Sequence, residues 1–139
     1  MSLFPTKCPW RQYQWIQRMY DETNDCAVVA LAQTTGITYQ DAHRACKREG
    51  RVNRGGMYMT ELRRAFDRLG FTLDPYPFEG KTLNTVVLSL PNCASFLINT
   101  TNHFTAYVNG KWLDHTPINR RRAVNVYQVI KNENKNKRH

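Results

Sequence analysis

The chain has 139 residues, of which 41% are hydrophobic and 12% aromatic, and its formal net charge is +9. This length suits one domain with a hydrophobic core and is too short for two. No apolar run is long enough to cross a membrane, and the N-terminus lacks the charged start and apolar stretch of a signal peptide. We therefore expect a protein that has no membrane segment and works in the cytoplasm where it is made.

The two ends of the chain differ in composition. Residues 10–20, WRQYQWIQRMY, are rich in aromatic side chains, which is compatible with a short strand or with an arm packed on the core. The last nine residues, KNENKNKRH, carry four cations and little apolar surface, and such a segment cannot bury enough to fold. We predict an arm over 1–19, one domain over 1–130 and a basic disordered tail over 131–139. The tail would attract nucleic acid weakly and without sequence preference.

The first predicted helix surrounds a cysteine. Three residues of helix-capping types precede an apolar run: Thr23, Asn24 and Asp25. The run ends at Gly36, a residue type that favours the end of a helix. The pattern predicts a helix over 25–35, with Cys26 in its first turn.

Helical spacing of apolar residues predicts two more helices, over 39–49 and 60–69, the second capped by Thr60. A short strand over 71–73 and a short helix over 82–90 follow. Strand patterns then dominate: CASFLINT is apolar enough for a buried strand, HFTAYV and KWLDH flank an Asn-Gly pair, and AVNVYQVI alternates apolar and polar residues. Helices followed by an antiparallel sheet predict an α+β domain.

The Asn-Gly pair sets the register of the predicted hairpin, because it fits the two-residue turn that matches strand twist. The opposed pairs are then Val108–Lys111, Tyr107–Trp112, Ala106–Leu113 and Thr105–Asp114. Residues two apart on a strand share a face, so His103 and Asp114 become diagonal neighbours on one side of the hairpin. His115 falls on the other side, and a slip of one residue would exchange it for Asp114.

These positions predict the parts of a cysteine hydrolase. A thiol is a poor nucleophile until it ionises, and the positive end of a helix dipole would favour the Cys26 thiolate. A nearby imidazole, His103, can take the thiol proton and later give it to a leaving amine. A carboxylate, Asp114, can orient that imidazole and stabilise its charged form.

The cysteine and histidine spacings favour a metal site or disulfide bonds less than they favour free thiols. The four cysteines are widely and irregularly spaced, which indicates free thiols in a chain without an export signal: Cys8, Cys26, Cys46 and Cys93. His43 and Cys46 lie three apart on a predicted helix, as zinc ligands can. No second close pair completes a site, so we expect a surface His43, a buried Cys46, and no metal or cofactor.

Six stretches in chain order, from about residue 20 to residue 117, carry a family resemblance: NDCAVVALA, TGITYQDA, RGGMYMTEL, LPNCASFLI, HFTAYV and KWLDHTP. The set resembles the papain-like cysteine peptidase superfamily, most closely the peptidase domains that remove double-glycine leaders from bacteriocins. It is also similar to small proteins of tailed bacteriophages, which would place it in a host cytoplasm. The resemblance implies a papain-like fold with the nucleophile helix packed on a C-terminal sheet. It implies Cys26 as nucleophile, His103 as general base and acid, and Asp114 as orienting residue.

The chain departs from this family pattern in three places. The family's glutamine about six residues before the cysteine, which donates to the oxyanion, is Tyr20 here, and Gln17 or Asn24 would have to replace it. The glycine after the cysteine is Ala27, and the proline after the aspartate is His115. Loss of one oxyanion donor costs about 100- to 1000-fold in turnover, so the first departure matters most.

The expected function is therefore a cysteine peptidase or amidase that cleaves a peptide or isopeptide bond of a protein substrate through a thioester. An acyl transferase would use the same three residues. The alternative from another class is a papain-like fold without catalysis that binds or inhibits a host protein or nucleic acid. The altered oxyanion position and the basic tail favour that alternative. The sequence does not indicate an oligomeric state.

Overall fold

The computed structural model describes residues 25–100, 103–113 and 122–132. The predicted N-terminal arm, Gln17, Asn24 and Asp114 lie outside these ranges, as does the tail beyond residue 132. Within them, no helix combines the length and the apolar character needed to cross a membrane.

The described residues begin with three helices of ten residues each: α1 (Cys26–Thr35), α2 (Tyr39–Arg48) and α3 (Met59–Arg68). Gly36 ends α1 in the left-handed conformation, φ 84°, with its N–H bonded to a carbonyl of the last turn, as the sequence predicts. Thr38 caps α2 by accepting from the N–H of Asp41 at 3.1 Å. The predicted Thr60 cap is wrong, because α3 begins at Met59, one residue before Thr60. The Glu61 carboxylate accepts a hydrogen bond from the backbone N–H of Tyr58, the residue before the helix.

The strands follow: β1 (Phe71–Pro75), β2 (Ser95–Thr100), β3 (His103–Val108), β4 (Lys111–Trp112) and β5 (Ala123–Lys131). They pair antiparallel in one sheet of order β1-β5-β2-β3-β4, so the α+β class is confirmed. The single helix predicted over 82–90 is instead α4 (Leu83–Val86) followed by a 3-10 turn (Val87–Ser89). Strand β5 includes Lys131, which pairs with Phe71, one residue into the segment predicted as tail.

The two faces of the sheet have different covers. One core cluster joins α1, α2 and α3 to the sheet through Leu97, Phe104 and Tyr127, and we call this side the helical face. A second cluster joins α4 and the 3-10 turn to Phe96 and Ile98, on the side that we call the opposite face. Because side chains alternate along a strand, neighbouring residues of β2 and β3 fall on different faces.

The hairpin register predicted from the Asn-Gly pair is confirmed. Tyr107 pairs with Trp112, and the pairing continues beyond β4 because the N–H of Leu113 donates to the carbonyl of Ala106 at 3.2 Å. Asn109 and Gly110 have φ angles of 50° and 78°, the left-handed values that the two-residue turn requires at both central positions.

Candidate functional site

Cys26 is the first residue of α1 and is half-buried against the helical-face cluster. The eight residues after it, Ala27 to Thr34, are all buried, so α1 is a central helix with no solvent side. The first N–H groups of a helix have no partner within the helix. They can stabilise a thiolate or an oxyanion that forms beside them. Cys26 therefore lies in the first turn of a helix, as the sequence predicts.

Asp25 precedes the thiol and does not act as a helix cap. Its side chain makes no capping hydrogen bond, and its backbone has φ −108° and ψ 30° instead of the extended geometry usual at that position. The carboxylate is 3% exposed and accepts a 2.7 Å hydrogen bond from the hydroxyl of Tyr39. The cap expected from the sequence is thus not provided by Asp25, because this side chain is committed to α2.

The prediction of a surface His43 is wrong. His43 is 9% exposed, and its ring lies 5.9 Å from the ring of the fully buried Tyr39, centroid to centroid. Cys46 is fully buried, as predicted. No group of three potential metal ligands occurs among the described residues. Cys26, Cys46 and the exposed Cys93 are free thiols.

His103 is the first residue of β3 and is partly exposed. Its carbonyl accepts a 3.2 Å hydrogen bond from the hydroxyl of Thr100, its partner across the β2–β3 turn. Alternation along β3 puts His103 on the opposite face, together with Thr105 and Tyr107. Helix α1 lies on the helical face, so the backbone alone does not aim this imidazole at Cys26.

The direction of α1 along β3 follows from two observations. Near the end of α1, Gln33 donates to the carbonyl of Leu113, which lies beside the middle of β3. Phe104, next to the start of β3, belongs to the α1 cluster, whereas Val108 at the other end belongs to a separate one. Seven residues of helix and three of strand each span about 10 Å, so the Cys26 end of α1 lies toward the His103 end of β3.

The side chains of Cys26 and His103 are therefore at one end of the sheet but start from different faces. His103 is the first residue of β3, so an imidazole directed toward α1 would have to pass around the end of the strand. The buried Thr105, 2% exposed, shares the face of His103, and its hydroxyl has no hydrogen-bond partner within the described residues. In the continued register it would face Asp114, which is outside the described ranges, as are both predicted oxyanion donors, Gln17 and Asn24.

Sequence reasoning missed two buried polar residues, Gln33 and Tyr39. Gln33 is 1% exposed and interrupts the apolar run of α1 seven residues after Cys26. A polar residue at that spacing shares the helix side of the cysteine, which was the available signal. Tyr39 looks like an ordinary aromatic core residue in the sequence, and only its contact with Asp25 marks it.

A pocket of about 320 Å³ lies elsewhere, lined by Tyr76, Pro77, Phe78, Glu79 and Ser89. None of the residues predicted for catalysis lines this pocket. Its walls come from the segment after β1 and the 3-10 turn, which belong to the cover of the opposite face. The candidate site is therefore defined by the start of α1 and the β3–β4 hairpin.

No protein-family model matches the chain, and no curated protein and no solved structure matches it either. A function for this chain consequently has to be built from the chemistry of its own residues.

Proposed function

We propose that the protein is a cysteine hydrolase of papain-like architecture that cleaves a peptide, isopeptide or related amide bond. One observation carries the proposal: the buried helix that begins at Cys26 packs along the strand that begins at His103. Asp114 is the next residue in sequence after Leu113, the last described residue of the hairpin, whose N–H is bonded to β3. The chain thus supplies a thiol and an imidazole from two elements that pack together, and a carboxylate that follows the hairpin in sequence.

The chemistry proceeds in two stages. The Cys26 thiolate attacks the substrate carbonyl carbon, and the resulting oxyanion accepts from the Cys26 N–H and from the amide of Asn24 or Gln17. Protonated His103 gives its proton to the leaving amine as the carbon–nitrogen bond breaks, which leaves a thioester on Cys26. His103 then takes a proton from water, whose oxygen attacks the thioester; the carbon–sulfur bond breaks, which releases the acid and restores the Cys26 thiolate beside protonated His103. Asp114 orients the imidazole.

This mechanism places one demand on His103. The imidazole has to turn from the opposite face around the end of β3, where His103 is the first strand residue. Catalytic hydrogen bonds are often longer in the absence of substrate than in its presence. Substrate binding would therefore bring the imidazole to Cys26.

Thiol reactivity tests the proposal because the described cysteines differ in exposure. The reduced, folded protein is treated briefly with iodoacetamide at neutral pH, and labelling of each cysteine is followed by mass spectrometry. Exposure alone predicts that Cys93 labels first, Cys26 second and the buried Cys46 last. An activated thiolate predicts that Cys26 overtakes Cys93, and that His103→Ala slows Cys26 without affecting Cys93. Labelling in the order of exposure would refute the activated thiolate.

A second candidate function has support from surface charge. Arg44, Lys47 and Arg48 form an exposed cationic ridge at helical spacing on α2. On α3, Arg64 and Arg68 both contact the Glu49 carboxylate, so the charge of one carboxylate balances only one of the two guanidinium charges. Such a surface, with the basic tail, fits a non-catalytic module that binds nucleic acid. If the protein is such a module, the Cys26→Ala variant would keep the biological effect of the native protein. Its affinity for DNA would fall steeply as the salt concentration rises.

A further inference from the structure

The pocket of about 320 Å³ beside the opposite face is formed where the chain leaves β1 and where the 3-10 turn ends. Ligand sites in proteins occupy roughly 300 to 1,000 Å³, so this volume suits a small group. The pocket is lined by Tyr76, Pro77, Phe78, Glu79 and Ser89. These residues supply two aromatic rings, a proline ring, a carboxylate and a hydroxyl group.

The backbone around the pocket is fixed on both sides. The N–H of Tyr76 donates to a carbonyl of β5 at 2.9 Å, which extends the β1–β5 pairing by one residue. The N–H of Glu79 donates to the Ser89 hydroxyl at 3.2 Å, and that hydroxyl donates to a carbonyl of α4 at 2.7 Å. Gly80 follows with φ 97°, so close to α4 that an added Cβ would overlap Thr85. The pocket is therefore preformed, and binding does not require this segment to become ordered.

Aromatic rings form the walls of the pocket. Tyr76 and Phe78 are half-buried and pack against the cluster of the opposite face. The ring of Tyr76 meets the ring of Phe96 at 70°, with 5.0 Å between the centroids, which holds the Tyr76 ring in place. The face of an aromatic ring carries negative potential and attracts cations. The walls therefore favour an apolar or a cationic group over an anion.

The Glu79 carboxylate favours a cation. It is the one charged group among the five lining residues, and it forms no ion pair with another described residue. The whole chain has 20 Lys and Arg against 11 Asp and Glu, so anions are the scarcer charge. A guanidinium group is planar, stacks on aromatic rings and pairs with a carboxylate through two parallel hydrogen bonds. An ammonium group is more strongly hydrated and lacks that planar geometry.

The surroundings of the pocket favour an arginine within a peptide over free arginine. Leu88 is 84% exposed and directly precedes Ser89 of the pocket. A residue that flanks the bound arginine can cover this leucine and remove apolar surface from water, whereas the free amino acid cannot. Pro77 and Glu79 are also exposed, which leaves the mouth of the pocket accessible to a peptide.

We propose that this pocket binds the side chain of an arginine in a peptide partner. The guanidinium group lies against Tyr76 and Phe78 and pairs with the Glu79 carboxylate. Its apolar stem runs over Pro77, as the stems of long cationic side chains do on apolar surfaces. None of the five lining residues belongs to the candidate hydrolase site. The inference therefore goes beyond the proposed function and is independent of it.

Nuclear magnetic resonance titration of the isotope-labelled protein tests the inference. The probe is the peptide acetyl-Ala-Leu-Arg-Leu-Ala-amide, and its counterpart carries citrulline, which has the same shape and no charge. We expect saturable shifts at the N–H groups of Phe78, Glu79 and Ser89, and at least about tenfold weaker binding of the citrulline peptide. Arginine amide should bind at least about threefold more weakly than the peptide. Equal affinity of either comparison ligand, or no saturable shift up to about 20 mM peptide, would overturn the inference.

Glu79→Gln keeps the size of the side chain and removes its charge. We expect it to weaken binding of the arginine peptide at least about tenfold and to leave the citrulline peptide unaffected. Asp67→Asn is the matched control, because Asp67 is exposed on α3, does not line the pocket, and changes the net charge equally. It should change the affinity less than about twofold. Equal losses in the two variants would mean that net charge alone attracts the peptide, which would overturn the inference.

Discussion

The hydroxyl of Tyr39 donates a 2.7 Å hydrogen bond to Oδ2 of Asp25, which joins the start of α2 to the residue before Cys26. Both side chains are buried, at 0% and 3% exposure. Asp25 precedes α1 in sequence and Tyr39 follows it. The segment from Gly36 to Tyr39 therefore runs back along α1, because the Tyr39 hydroxyl reaches the residue before the start of that helix. The start of α1 is thus held by the next helix in the chain.

Replacement of Tyr39 by Phe should destabilise the fold. The variant keeps the ring and removes the donor to a buried carboxylate, which costs about 1–3 kcal/mol in the free energy of unfolding. Urea denaturation measures the change. Tyr58→Phe is the control, because Tyr58 is 78% exposed and its substitution should stay within about 0.5 kcal/mol. Equal stability of the two variants would show that the buried hydrogen bond contributes nothing.

Neighbouring substitutions after Leu113 should have unequal effects on hydrolysis. The hairpin register is described up to Leu113, and the sequence prediction continues it to Asp114 on the side of His103 and His115 on the other. We expect Asp114→Asn to lower kcat about 100-fold or more, because the imidazole loses its orienting carboxylate. His115→Asn should change kcat less than about threefold. Steady-state kinetics on an amide substrate provides the measurement, and the reverse order would assign the role to His115.

The β3–β4 turn should be intolerant of a side chain at Gly110. A Cβ added there would lie 2.9 Å from the Cβ of Asn92, at a backbone φ of 78°. Gly70 has a comparable φ of 89° and no atom within 4 Å of an added Cβ. Gly70→Ala should cost about 1 kcal/mol from the left-handed backbone alone, and Gly110→Ala about 2–3 kcal/mol because a clash is added. Thermal or urea unfolding of both variants measures the two losses in the free energy of unfolding. Equal losses would mean that Asn92 moves aside without cost.

The central position of α1 predicts a large cost for cavities. Leu31 is 0% exposed, so Leu31→Ala should lower the unfolding free energy by about 2–5 kcal/mol. Leu88 is 84% exposed, so Leu88→Ala should change it by less than about 0.5 kcal/mol. Urea denaturation of both variants compares one substitution in two environments. Similar losses would contradict the burial of α1.

The predictions that succeeded depend on local backbone chemistry. Gly36 ends α1 as predicted, because glycine adopts the left-handed conformation at little cost. Asn109 and Gly110 determined the hairpin register for the same reason. One prediction that failed concerns the choice between neighbouring polar residues at a helix start: Thr60 was expected to cap α3 but lies inside that helix. Of the three capping types that precede the apolar run of α1, Asp25 makes no capping hydrogen bond and is bonded to α2 instead.

The sequence by itself determined the order of helices and strands, the α+β class and the pairing of the hairpin, because periodicity and turn chemistry act over a few residues. Only the tertiary structure decided which sheet face α1 covers, and that face is not the one to which β3 directs His103. It also decided that His43 is buried and that Gln33 bonds to Leu113. These outcomes depend on packing between segments up to 80 residues apart, and no local pattern encodes which distant backbone group a buried side chain will meet.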